Sequence, residues 1–116
     1  MPDRFEDERG VIQDLIGPVD AVTEIFTRKD SIRGNHVHEL TIQRTYIVSG
    51  LLLAVTERDG VASSRWCVPG ELIEEPAGIP HAWKALEDTT VLVFTSGPRS
   101  GAAYETDTRR LDVPLL

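Results

Sequence analysis

What most constrains this chain is a succession of short runs rich in β-branched and aromatic residues, each stopped by glycine, proline or a polar turn. The run from Thr41 to Val48 stops at Ser49-Gly50, Leu51 to Thr56 is followed by Arg58-Asp59-Gly60, and Val61 to Val68 closes on Pro69-Gly70. Branched and aromatic side chains suit a pleated, half-buried surface, and Asp-Gly between two such runs tolerates the positive φ of a tight hairpin. Leu72 to Glu75, His81 to Leu86 and Thr90 to Ser96 add further runs, with Gly10 to Ile16 and Val22 to Thr27 ahead of them. No long amphipathic helical period and no solenoid repeat interrupts the pattern. Strands recurring every ~8–12 residues between Gly and Pro turns predict an all-β sandwich or barrel.

At 116 residues the chain reads as one domain, residues 1–116, with a core over about residues 20–97. The N-terminal strand and the tail from Gly97 are expected to pack on that core or on a partner subunit. Cys67 is the single cysteine, so no internal disulfide can form, and its strand setting marks it as a buried bystander. No apolar run reaches the ~20 residues of a membrane helix, and the acidic opening is unlike a secretory signal. These features predict a cytoplasmic protein away from membranes. The net charge of −7 argues against a nucleic-acid surface but permits a small anionic substrate held by one or two arginines.

The chemistry-bearing residues are few: the chain has three histidines, His36, His38 and His81. Two residues apart in a strand, His36 and His38 share a face. Trp83 lies two beyond His81 and shares that residue's face, which makes it a candidate pocket wall. Gln43 falls on the opposite face of an unbroken strand, and a bulge near Glu39-Leu40 would bring it round to the histidines. The spacing permits that bulge without requiring it.

The segment His36-x-His38-x4-Gln43 with Gly50, followed by Gly70-x5-Pro76-x-Gly78-x2-His81, resembles the two sequence motifs of the cupin superfamily over about residues 33–81. Gln43 stands where Glu is usual, and Ala85 where Asn is frequent. The resemblance implies a double-stranded β-helix, the cupin jelly-roll barrel. It also implies a metal held by His36, His38, Gln43 and His81. With an amide as fourth ligand, the ion expected is one divalent transition metal (Zn, Ni, Co, Fe or Mn) in preference to Mg or Ca. The corresponding function is a metal-binding cupin enzyme acting on a sugar-like hydroxylated or keto substrate.

A second resemblance runs alongside it. Phe5 to Gly10, Arg33-Gly34-Asn35-His36-Val37-His38 and Tyr104-x2-Asp107-Thr108-Arg109 are similar to cupin 3,4-ketoisomerases and 3,5-epimerases of dTDP-4-keto-6-deoxy sugars. These share the Arg-x2-His-x-His-x4-Gln pattern, so the motif alone does not imply a metal. The alternative it gives is a metal-free nucleotide-sugar isomerase or epimerase with His36 and His38 as acid/base groups. Arg33 would hold a phosphate or an enolate oxygen, Tyr104 would be a further acid/base candidate, and Arg33 and Trp83 would line the substrate pocket. A non-catalytic, ligand-binding cupin is the third reading, since one fold hosts many functions. The outer strands of small cupins commonly pair across subunits, so a homodimer is expected.

Overall fold

Inward and outward residues alternate along most strands, and this alternation builds two layers. The computed structural model describes residues 4–97 and 101–116. In chain order the elements are β1 (Arg4–Asp7), β2 (Gly10–Gln13), β3 (Ala21–Thr27), β4 (Ile32–His38), β5 (Ile42–Ser49), β6 (Leu52–Arg58), β7 (Val61–Cys67), β8 (Leu72–Glu75), β9 (His81–Ala85), β10 (Thr89–Ser96), α1 (Gly101–Asp107) and β11 (Thr108–Arg110). β1 and β2 form a separate hairpin. The remaining strands make a four-stranded sheet, β3-β10-β5-β8, and a five-stranded sheet, β11-β4-β9-β6-β7.

The expected all-β character is present, but the closed jelly-roll barrel is not. From β3 to β6, and again from β7 to β11, consecutive strands alternate between the two sheets. Sequence neighbours therefore face each other across the interior instead of pairing edge to edge. Among the described residues no ladder joins the edges β3 and β8 to the edges β11 and β7, and both sheets stay open. The β6–β7 hairpin is the exception to the alternation, and Asp59 (φ 53°) and Gly60 (φ 78°) supply the two positive-φ positions its turn requires. Within the tail, residues 101–107 form α1, and β11 then pairs Thr108 with His38 and Arg110 with His36. Among the described residues, no helix is long and apolar enough to cross a membrane.

One end of the space between the sheets is apolar. Ile47, Leu52, Cys67, Ile73, Trp83, Ala85, Val91 and Val93 form the buried cluster there. Toward the other end the inward positions turn polar. Thr95, Gln43 and Glu75 are in register across β10, β5 and β8, and His36, His81 and Thr56 are in register across β4, β9 and β6. The site forms between those two polar rows.

Candidate active site

Arg33 and His36 are three residues apart, so a regular β4 would point them to opposite faces. Instead the pairing with β9 shifts between Gly34 and His36, leaving Asn35 as the extra residue of a β-bulge. Asn35 has φ 57° and Gly34 φ 92°, and a Cβ on Gly34 would lie 2.9 Å from the His81 carbonyl oxygen. Only glycine allows that approach. The Asn35 amide is anchored in turn: its Oδ1 accepts from the Leu115 and Leu116 N–H groups (2.8 and 3.2 Å), and its Nδ2 donates to the Leu116 carbonyl (3.1 Å). The bulge puts Arg33 on the same cavity as His36 and His38.

That cavity has a volume of about 210 Å³. His36, His38 and His81 meet on one side of it, with ring centroids 4.5, 4.7 and 5.4 Å apart. Ile25, Thr41, Gln43, Val93 and Thr95 contribute the remainder of the wall, together with Arg33 and Trp83. Arg33 Nε donates to Thr27 Oγ1 (2.8 Å) and its Nη2 to the Phe26 carbonyl (3.1 Å). These bonds fix the guanidinium at the cavity and leave other N–H groups of the fork to meet a ligand.

Each imidazole has a distinct environment. Burial, reinforced by His81, His38 and Arg110, lowers the pKa of His36 to about 3, so this ring is neutral under ordinary conditions. His81 is also pushed down by burial, partly opposed by its contact with the Ile79 carbonyl (Nδ1 to O, 3.3 Å). His81 Nε2 lies 3.0 Å from His36 Nε2 and 3.1 Å from Glu75 Oε2. Glu75 is buried, and that burial raises its carboxyl to about 7, against the Thr45 hydroxyl (2.9 Å), the nearby Trp83 indole and the Gln43 amide (3.3 Å). The Trp83 Nε1 is close to this carboxyl yet makes no hydrogen bond of good geometry among the described residues. His38 Nδ1 contacts Thr108 Oγ1 (3.1 Å) and lies 3.9 Å from Asp107 Oδ2. Burial works against ionisation of Asp107, but hydrogen bonds from the Thr41 hydroxyl and from the Leu40 and Thr41 N–H groups, with His38 beside it, hold its carboxyl below the usual range.

Three ring nitrogens within 4.8 Å of one another fit a metal ion. The 3.0 Å between His36 and His81 suits two ligands bound at ~2.1 Å to one centre. Gln43 faces the cavity from the opposite sheet, but its amide nitrogen is directed to Glu75 at 3.3 Å. A carboxylate only accepts hydrogen bonds, which explains why the NH₂ end is turned that way.

The structure therefore brings Arg33, His36, His38, Gln43, His81 and Trp83 to one cavity. Tyr104 lies on α1, with its side chain outside the described part of the structure. Glu75, Asp107 and Thr95 escaped the sequence reading as site residues. Glu75 could have been found from strand period alone, since it shares a face with the apolar Ile73. Asp107 stands in the Tyr104-x2-Asp107-Thr108-Arg109 segment, but its role left no local mark, because its contacts with Leu40 and Thr41 span 66 or more residues.

No protein-family description and no curated protein sequence matches the chain. Solved structures do. The sugar 3,4-ketoisomerase QdtA from Thermoanaerobacterium thermosaccharolyticum, solved with TDP, superposes with a TM-score of 0.77 at 17% identity, covering 96% of this chain and 85% of that one. The Mycobacterium tuberculosis RmlC epimerase gives a TM-score of 0.72 at 19% identity, over 94% of this chain and 65% of the other. The capsular polysaccharide assembling protein CapF from Staphylococcus aureus gives 0.72 at 18% identity over 97% of this chain, which spans only 35% of CapF's length. At these identities the likeness is one of fold: this chain has the fold of the RmlC-like cupins, with its two sheets left open.

Proposed function

We propose that this protein is a nucleotide-sugar ketoisomerase or epimerase that moves a proton next to a keto group without needing a metal. The observation that carries the reading is the convergence of three imidazoles beside the Arg33 guanidinium, with a carboxylate, Asp107, behind one of them. The structural likeness to a sugar ketoisomerase and an epimerase supports the substrate class. His38 acts as proton carrier: Asp107 stabilises the positive charge the ring gains when it takes a proton from carbon. His36, neutral, donates a hydrogen bond to the keto oxygen, and Arg33 steadies the charge that develops there. For a 3,4-ketoisomerisation the proton leaves C3 and returns at C4, while the hydroxyl proton passes from the oxygen on C3 to that on C4. No oxidant or reductant is consumed. The test is conversion of TDP-4-keto-6-deoxyglucose, a ligand with which QdtA has also been solved, by protein freed of metal with a chelator. Isomer or epimer formation followed by NMR is expected; an unchanged sugar would contradict the reading.

The histidine cluster supports a second reading, a metal-dependent cupin enzyme on a sugar-like substrate. His36, His38 and His81 would hold a divalent transition metal, which would supply Lewis-acid polarisation of a carbonyl or hydroxyl oxygen. Stoichiometric metal in tag-free protein, with activity lost on chelation and restored on reloading, would favour it over the first.

A further inference from the structure

Buried threonines are numerous in this interior, and most have evident partners. Thr27 Oγ1 accepts from Arg33, Thr41 Oγ1 donates to Asp107, Thr45 Oγ1 donates to Glu75, and Thr89 Oγ1 donates to the Glu87 carbonyl. Thr95 is different. It is 2% exposed, lines the cavity, and its Oγ1 has no hydrogen-bond partner among the described residues. A buried hydroxyl left without a partner opposes folding, so a position that keeps one calls for an explanation.

The backbone gives Thr95 little room to find a partner by moving. β10 is a central strand: Thr95 is in register with Ala21 of β3 on one side and Gln43 of β5 on the other, and its carbonyl accepts from the Asp20 N–H at 2.9 Å. Its hydroxyl stands on the four-stranded sheet, across the cavity from the histidines of the five-stranded sheet. The wall around it carries the apolar side chains of Ile25 and Val93. A ligand with an oxygenated ring would meet imidazoles on one face and a single fixed hydroxyl on the other.

We propose that Thr95 is a ligand-contacting residue that reads a hydroxyl or carbonyl oxygen of the bound sugar, on the side opposite the imidazoles. The inference rests on the nucleotide-sugar reading above and deepens it. A hydroxyl both donates and accepts, so it matches either oxygen type, whereas an apolar ligand would leave it unpaired. The contact is to the sugar and not to the nucleotide, because the hydroxyl faces the imidazoles and Arg33 across the cavity in which the reacting ring must lie.

The test compares wild type with T95V, which removes the hydroxyl at nearly constant volume, and with T95S, which retains it. Thermal unfolding without ligand is measured first, then affinity for TDP and for TDP-4-keto-6-deoxyglucose. The T95V protein is expected to be at least as stable as wild type, to bind TDP equally well, and to bind the keto sugar about 5- to 10-fold more weakly. The T95S protein should bind the sugar as wild type does. A T95V protein less stable than wild type would overturn the inference, because the hydroxyl would then be satisfied within the protein. Unchanged affinity of T95V for the keto sugar, or an equal loss for TDP, would also overturn it while leaving the proposed function standing. Failure of the wild type itself to bind the keto sugar would overturn the proposed function and this inference together.

Discussion

Replacing Glu75 with Gln gives a direct view of the electrostatics behind the histidines. The carboxyl is buried and touches His81, Gln43 and Thr45, and burial moves it from an ordinary 4.5 to about 7. A carboxyl raised in this way binds its proton more tightly in the folded state than in the unfolded chain. Its contribution to stability is fully present below pH 4.5 and is lost as pH rises through 7. At ~1.4 kcal/mol per pH unit, the loss between those limits is about 3 kcal/mol. The E75Q protein has no titrating group at this position. Its amide oxygen can still accept from the Thr45 hydroxyl, and its NH₂ can donate to His81 Nε2. Stability measured by urea unfolding, with tryptophan fluorescence as probe, should therefore shift in favour of E75Q by about 3 kcal/mol between pH 4.5 and pH 8. The lowered imidazoles of His36 and His81 also cost stability as pH falls below 6.5, and taking the difference between the two proteins removes the part of that cost that does not pass through Glu75. A wild-type-to-variant difference that stays constant with pH would refute this account of Glu75.

Three other outcomes follow from named contacts. D107N removes the charge behind His38 and weakens the anchoring of Leu40 and Thr41; turnover of the keto sugar should fall by about 100-fold or more, with a lowered melting temperature. G34A forces a Cβ to 2.9 Å from the His81 carbonyl at φ 92°, which should cost about 2 kcal/mol or more in chemical denaturation. Cys67 is fully buried, and that burial raises its thiol, so iodoacetamide should label it only in unfolded protein, as mass spectrometry would show.

Much of the strand pattern was legible because period-two alternation and Gly/Pro stops are local signals. The run from Leu72 to Glu75 matches β8, and the Asp59-Gly60 turn sits where the chain reverses between β6 and β7. Closure of the sheets was not legible, since it depends on which edges pair, and edges separated by many residues leave no local mark. Gln43 illustrates the same limit. The spacing permits, without requiring, a bulge at Glu39-Leu40 that would swing it to the histidine side of one continuous strand. In the structure those two residues form a bend that carries the chain from β4 in one sheet to β5 in the other, and Gln43 meets the cavity from the facing wall. The bulge that does shape the site lies at Asn35, held by hydrogen bonds from residues about 80 positions away.

The measurement that bears most directly on the central claim is exchange of carbon-bound hydrogen with solvent. Metal-stripped protein is incubated with TDP-4-keto-6-deoxyglucose in D₂O, and the proton beside the keto group is followed by NMR, with H38N as control. The account requires catalytic loss of that signal with wild type and strong suppression with H38N. A sugar that binds but keeps its proton in the presence of wild-type protein would contradict it.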